Sequence, residues 1–216
     1  MRLPGEPRSV TRGVGKTGWA RLVLRSAAAP QVPSTLGFMN AGPSLSLAEW
    51  TVLALISEHP THGFAISRLT APGGDLGRIW HVPRPVIYRT IGRLEEAGLV
   101  AAQAVEPGRG PQRTIYAATP AGRKAAADWL DTPVQHVRDV RSELLIKLAL
   151  LDRAGTDPTD LLRRQKAILQ PIASAISGER PQQKGFDATL LAWRRATAAA
   201  ALNFLDDITH SGASRV

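Results

Sequence analysis

The sequence predicts a mainly α protein with one small two-stranded β wing, arranged as a compact unit followed by a helical one. Apolar residues recur at helical spacing in seven segments between Ser46 and Ile208. Only two runs, Leu99–Val105 and Arg113–Ala118, read as strands, and a Gly/Pro-rich stretch joins them. The 216 residues are 44% apolar and 21% charged, enough to bury the core of one large domain or two small ones.

The first helix is expected over 46–58. Ser46 and Glu49 have the spacing of a capping box, Ala48, Val52, Leu55 and Ile56 form the apolar face, and Pro60 closes the segment. Thr61-His62-Gly63 reads as a turn, with His62 capping a short helix over 63–69 that carries Phe64, Ile66 and Leu69. Gly73-Gly74 breaks the chain. A third helix starts near Pro83 or Pro85, since a first-turn N–H has no partner to lose. Ile87, Ile91 and Leu94 are its buried stripe, and Gly98 is its left-handed cap, with Leu99 making the accompanying apolar contact. The hairpin follows, its tip presenting Arg109. Thr119 and Pro120 open a fourth helix that runs to about Leu130 and closes at Pro133.

Three helices, a hairpin and a helix are the order of a winged helix-turn-helix, with the third helix as major-groove reader and the hairpin as wing. Arg84 at the start of that helix, and Tyr88, Arg89 and Arg93 off its apolar stripe, are the candidate DNA contacts. Arg109 and Arg113 are the candidate wing contacts. The bland alternative is a solvated helix face tempered by Glu95 and Glu96, with Tyr88 packing its ring at the core edge.

The charge balance agrees with a polyanionic partner. Lys and Arg number 27 against 18 Asp and Glu, a net of +9. Arg dominates, a bias that a GC-rich genome produces without functional cause, and much of the surplus lies in the first 38 residues. Residues 1–43 are rich in Gly, Pro, Ser and Ala without periodicity, and are expected to be a disordered basic extension, with Met39 as an alternative start. Gly13-Val14-Gly15-Lys16-Thr17 resembles part of a phosphate-binding loop, but Val10 stands where that pattern needs Gly and no strand precedes it.

Other chemistry finds little footing. There is no Cys, which excludes disulfides, thiolate metal sites and thiol catalysis and fits a cytoplasmic protein. His59, His62, His81, His136 and His210 lack metal-ligand spacing, so neither metal nor cofactor is expected. No Ser/His/Asp set or carboxylate pair has catalytic context, and Asp206-Asp207 is most simply a helix-end pair. No run approaches the ~18 apolar residues of a membrane helix. A non-enzyme without a membrane partner is the reading. A protein–protein adaptor built on a winged helix, and a nucleotide-dependent enzyme using Lys16, are the alternatives.

Several blocks together resemble the PadR-like transcriptional regulators. They are Leu45-Ser46-Leu47-Ala48-Glu49-Trp50 leading to Val52-Leu53-Ala54-Leu55-Ile56; His62-Gly63-Phe64-Ala65-Ile66; Ile87-Tyr88-Arg89 with Leu94-Glu95-Glu96-Ala97-Gly98-Leu99-Val100; and Tyr116 with Thr119-Pro120-Ala121-Gly122-Arg123. They occur in family order over about 44–130. Arg141-Ser142-Glu143-Leu144-Leu145-Ile146-Lys147-Leu148 resembles the opening of the family's longer C-terminal helical region and extends the likeness to about residue 208. The resemblance implies a dimeric DNA-binding regulator, usually a repressor, often responding to a small-molecule effector. It places Tyr88 and Arg89 near the DNA backbone, and Arg109 and Arg113 in a basic wing. Three places depart from the family pattern. Phe64 stands where Tyr is common, Pro83 and Pro85 flank Arg84 where small polar residues are usual, and Ala117-Ala118 replace a longer, often basic pair.

The second unit is expected over 133–210, after a DNA-binding domain at 44–132 and before a tail at 211–216. Its helices are read at 139–153, at 157–177 with a kink at Pro171, and at 186–208. Leu190, Trp193, Thr197, Ala201, Phe204 and Ile208 form a stripe on the last helix near 3.6 spacing. A homodimer partner is the candidate occupant of that stripe. Packing against Leu161, Leu162, Ile168, Leu169 and Ile172 of the same chain is the competing one. Trp50, Trp80, Trp129 and Trp193 read as core residues before ligand platforms.

Overall fold

A computed structural model describes residues 44–106, 112–179 and 185–213. The expectations about residues 1–43, Lys16 and Met39 among them, and about Arg109 lie outside these residues.

Helix α1 (Leu47–Glu58) starts at the expected capping box. The Ser46 N–H donates to Glu49 Oε2 at 2.7 Å, and Ser46 Oγ accepts from the Glu49 N–H at 3.4 Å. Residues 51–56 are all buried, so α1 is the central rod of the first unit. Helix α2 (Gly63–Leu69) is capped by His62, whose Nδ1 accepts from the Ala65 N–H at 3.0 Å. Helix α3 (Arg84–Glu96) buries Ile87, Ile91 and Leu94 as expected, with Thr90 between them. It ends at Gly98, whose φ of +69° is the left-handed cap read from the sequence. The Leu99 N–H closes that cap on Leu94 O at 2.9 Å, and Leu99 is buried.

Strands β1 (Val100–Glu106) and β2 (Arg113–Ala118) pair antiparallel from Val100↔Ala118 to Glu106↔Arg113, with a bulge between Ala102 and Ala104. Thr61 adds a short third rung. Its N–H donates to Tyr116 O at 3.0 Å, and the Tyr116 N–H returns the bond at 2.8 Å. The turn read at Thr61 is therefore also a sheet edge that ties the start of α2 to the wing. Helix α4 (Pro120–Asp131) is capped by Thr119, which accepts from the Gly122 N–H at 3.0 Å.

The segment expected as one helix over 139–153 is three conformations in series. A 3₁₀ turn at Val137–Asp139 leads into a π turn at Val140–Leu144, and then helix α5 (Leu145–Arg153) follows. Helix α6 (Thr159–Gly178) continues through Pro171, and α7 (Phe186–Ala213) runs five residues beyond the expected end. Leu161, Leu162 and Leu169 of α6 pack with Ala201 and Leu205 of α7, whereas Ala173 and Ile176 pack with Leu191 and Ala198. That reversed order makes α6 and α7 antiparallel. Gln165, fully buried on α6, holds the backbone of Val134 from both sides, accepting from its N–H at 2.7 Å and donating to its carbonyl at 2.8 Å.

Helix α5 belongs to both cores. Its Ile146 and Leu150 are part of the first core with α1, α3 and α4, while Leu148 and Leu151 pack onto the second. At the same junction Trp129 stacks on Trp50 with ring centroids 5.6 Å apart. The Trp129 Nε1–H donates to Glu143 at 3.0 Å. Lys147, 1% exposed, lies over the Trp129 ring at 4.8 Å, pairs with Glu143 at 2.8 Å and donates to Thr132 O at 2.6 Å. Burial pushes the Lys147 pKa down, against the opposing pull of Glu143. No helix among the described residues is long and apolar enough to cross a membrane.

Candidate nucleic-acid interface

Packing on one face of α3 decides what its other face can present. With Ile87, Ile91 and Leu94 turned into the core, Arg84, Tyr88, Arg89 and Arg93 are exposed. Helix α2 lies close against this helix. A Cβ on Gly63 would come within 2.9 Å of Tyr88 Cε1 and 3.2 Å of Ile91 Cδ1, so a side chain at Gly63 would have to displace the Tyr88 ring.

The four exposed residues are not equivalent. Arg84 donates to the Tyr88 hydroxyl one turn ahead at 3.5 Å and lies over two rings, 5.6 Å from the centroid of Tyr88 and 5.4 Å from that of Phe64. Arg89 has no ion-pair partner among the described residues. Arg93 instead pairs with Glu49 Oε1 at 3.3 Å, which ties it to the cap of α1. The Ser46 hydroxyl, more than Arg93, holds the Glu49 carboxyl below the usual carboxylate range against the opposing effect of burial. A side chain engaged in this way is a weaker phosphate ligand than its exposure suggests. Arg113, at the base of the wing, comes within 5.3 Å of the Phe64 ring. Arg84 from α3 and Arg113 from β2 therefore meet at one aromatic side chain, and neither has a carboxylate partner among the described residues. The α3 N-terminus adds its partial positive charge, since Pro83 supplies no side-chain cap.

Sequence reasoning placed Phe64 with the apolar residues of α2. The structure leaves its ring 37% exposed, while Gly63 and Ile66 turn inward. The periodicity held the signal: Gly63, Ile66 and Thr70 lie on one face, and Phe64 falls off it.

The stripe expected to dimerise is divided. Ala201 is buried against the chain's own helices, Thr197, Phe204 and Ile208 are half-buried, and Leu190 and Trp193 are exposed at 44% and 67%. The face of α7 turned into the chain is Leu191, Ala198, Ala201 and Leu205, a small rotation away from the expected stripe. Trp50 and Trp129 pack in the first core, whereas Trp193 does not pack in a core. Trp193, Thr197, Ala201 and Phe204 wall an open cleft of about 900 Å³. Its other side is Val137, Val140, Arg141 and Leu145 around the π turn, with Ile172 and Ile176 of α6. No cluster of three or more His, Cys, Asp or Glu able to hold a metal occurs among the described residues.

Residues 52–128 match the transcriptional regulator PadR-like family. The chain is similar to Bacillus subtilis PadR in complex with operator DNA at 18% identity and TM-score 0.38, covering 74% of this chain and 97% of that one. It is similar to the same protein in complex with p-coumaric acid at 17% identity and TM-score 0.37, covering 77% and 98%. Similarity to smu.1604c from Streptococcus mutans UA159 is 17% identity and TM-score 0.36, covering 74% and 96%. No curated protein matches the sequence.

Proposed function

We propose that this chain, whose residues 52–128 match the transcriptional regulator PadR-like family, is a homodimeric repressor whose winged helix at 44–132 binds operator DNA. It acts in the cytoplasm by binding rather than by catalysis. The observation that carries the DNA-contact reading is the convergence of Arg84 and Arg113 from two elements on one exposed face, without carboxylate partners among the described residues. Tyr88 and Arg89 extend that face along α3, and Arg93 has a lesser share because Glu49 engages it; Arg109, outside the described residues, is a further proposed DNA contact.

The helices over 133–210 hold the dimer. The exposed Leu190 and Trp193, continued by Phe204 and Ile208, support this seam, because large apolar side chains left in water are a liability. A second copy seated on Trp193 would roof the cleft beside the π turn. That supports an effector site at the seam, where apolar walls and Arg141 suit a small amphipathic molecule. An effector there would work by shifting the spacing of the two reading heads.

The test is footprinting on the DNA upstream of the chain's own gene, with affinity measured against salt. A protein with ~6–10 phosphate contacts should lose affinity by orders of magnitude between 50 and 200 mM salt. A protected palindromic site with that salt dependence is expected. Binding that ignores salt, or no protected site, would point to the adaptor reading.

A further inference from the structure

The centre of the basic face is an apolar ring. Phe64, in the first turn of α2, has the Arg84 guanidinium 5.4 Å and the Arg113 guanidinium 5.3 Å from its centroid. Its exposure of 37% sets it apart from Ile66, which fills the core from the same short helix at 1%. Core packing therefore does not account for a large aromatic here. The His62 ring, fixed by its capping bond to Ala65, lies 6.3 Å from that of Phe64 with the ring planes 27° apart.

Two guanidiniums drawn to one ring repel each other, and each carries a long side chain with much rotational freedom to lose on binding. The negative face of an aromatic ring opposes both effects, attracting each cation and limiting its rotamers before any anion arrives. Arg84 comes from α3 and Arg113 from the wing base, so Phe64 couples the two elements that, on the DNA-binding reading, grip the same duplex. We propose that Phe64 is a positioning residue for DNA binding, its ring holding Arg84 and Arg113 as a preorganised cation pair for the phosphate backbone. This rests on the DNA-binding reading above.

The experiment uses the full chain and a fluorescein-labelled mixed-sequence duplex. Phe64→Leu keeps the apolar bulk and removes the π face, and should weaken binding by about 5- to 20-fold, the scale of two exposed cation–π contacts. The salt slope should stay at the wild-type value, because every cation is still present, whereas Arg113→Ala should lower it by about one. Phe64→Tyr, which keeps the π face, should retain wild-type affinity. In an Arg84→Ala/Arg113→Ala background, Phe64→Leu should cost nothing further. A separate measurement needs no variant to fold: the Hδ protons of Arg84 and Arg113 in the free wild-type protein should be shifted upfield by the ring. An equal loss with and without the arginines would overturn the proposal, as would wild-type affinity for Phe64→Leu or unshifted Hδ resonances. A wild-type chain that binds no duplex sinks the DNA-binding reading and this proposal with it. A wild-type chain that binds while Phe64→Leu is neutral sinks only this proposal.

Discussion

The arginines of α3 show how little exposure alone decides. Arg84, Arg89 and Arg93 follow one another along one helix, yet Arg93 is spent on Glu49 while Arg89 has no ion-pair partner among the described residues. Arg89→Ala and Arg113→Ala should each lower the log–log salt slope of DNA binding by about one, and Arg93→Ala by clearly less. An Arg93→Ala variant as impaired as Arg89→Ala would show that the Glu49 pair opens on binding. The same pair carries a pH signature. The Glu49 carboxyl is pulled below its ordinary pKa, so its stabilisation is complete above about pH 4.3 and is lost as pH falls through the lower folded-state value. Glu49→Gln should flatten that acid limb in denaturant titrations, and Ser46→Ala should cost about 1 kcal/mol at neutral pH. The Ser46–Glu49 cap was legible from spacing alone, because both partners lie within one turn. The Arg93–Glu49 pair was not, because its partners are 44 residues apart in the chain and only the packing of α3 on α1 brings them together.

Helices were legible in proportion to how far local rules govern them. Helix α3 has Pro at its start, a clean apolar stripe and a glycine at its end, and all three survive in the structure. The segment before α5 has no such markers. What it serves is a ring distant in the chain, since the π turn carries Glu143 and the next turn carries Lys147, and both meet Trp129. Glu143→Gln keeps an acceptor for the indole but leaves the Lys147 ammonium buried without a counter-charge. With Glu143 about one-third exposed, the expected loss at pH 7 is about 1–3 kcal/mol. The folded-state pKa of Lys147 is below its unfolded value, so the folded protein binds fewer protons and stability rises with pH up to the unfolded value. The Glu143→Gln deficit should therefore shrink between pH 7 and pH 9.5 in urea unfolding. A deficit that stays constant would mean that Lys147 keeps its proton.

For the molecule as a whole, the expected assembly has two reading helices set about one DNA turn apart, ~34 Å, or a multiple of it. Trp193→Asp tests this more cleanly than a change at Phe204, because Phe204 packs on the second core of its own chain whereas Trp193 is 67% exposed. Trp193→Asp should sediment as a monomer, keep its thermal unfolding transition and bind a two-half-site operator far more weakly. A Trp193→Asp dimer with full affinity would place the seam elsewhere. Deleting residues 1–38 should leave the footprint unchanged, since a basic segment without apolar periodicity contributes charge but no base readout. The sequence showed the stripe on α7 but not its rotation. Alternating large and small residues such as Ala200, Ala201, Phe204 and Leu205 fit two adjacent faces equally well until α6 is in place.

The sharing of α5 between two cores bears on how such a protein can be recombined. A crossover at residue 132 would look natural, because the wing and α4 are complete there. It would nonetheless separate the first core from Ile146 and Leu150, and Trp129 from the Glu143 and Lys147 that surround it. A reading head transplanted with residues 44–132 alone should arrive with a hole of two large aliphatic side chains and expose the indole. One transplanted with residues 44–153 carries its own lid. Viable chimeras among chains of this architecture should therefore have their junctions after Arg153, at the Gly155 turn, and a head-only graft should be recovered only with compensating changes around Trp129.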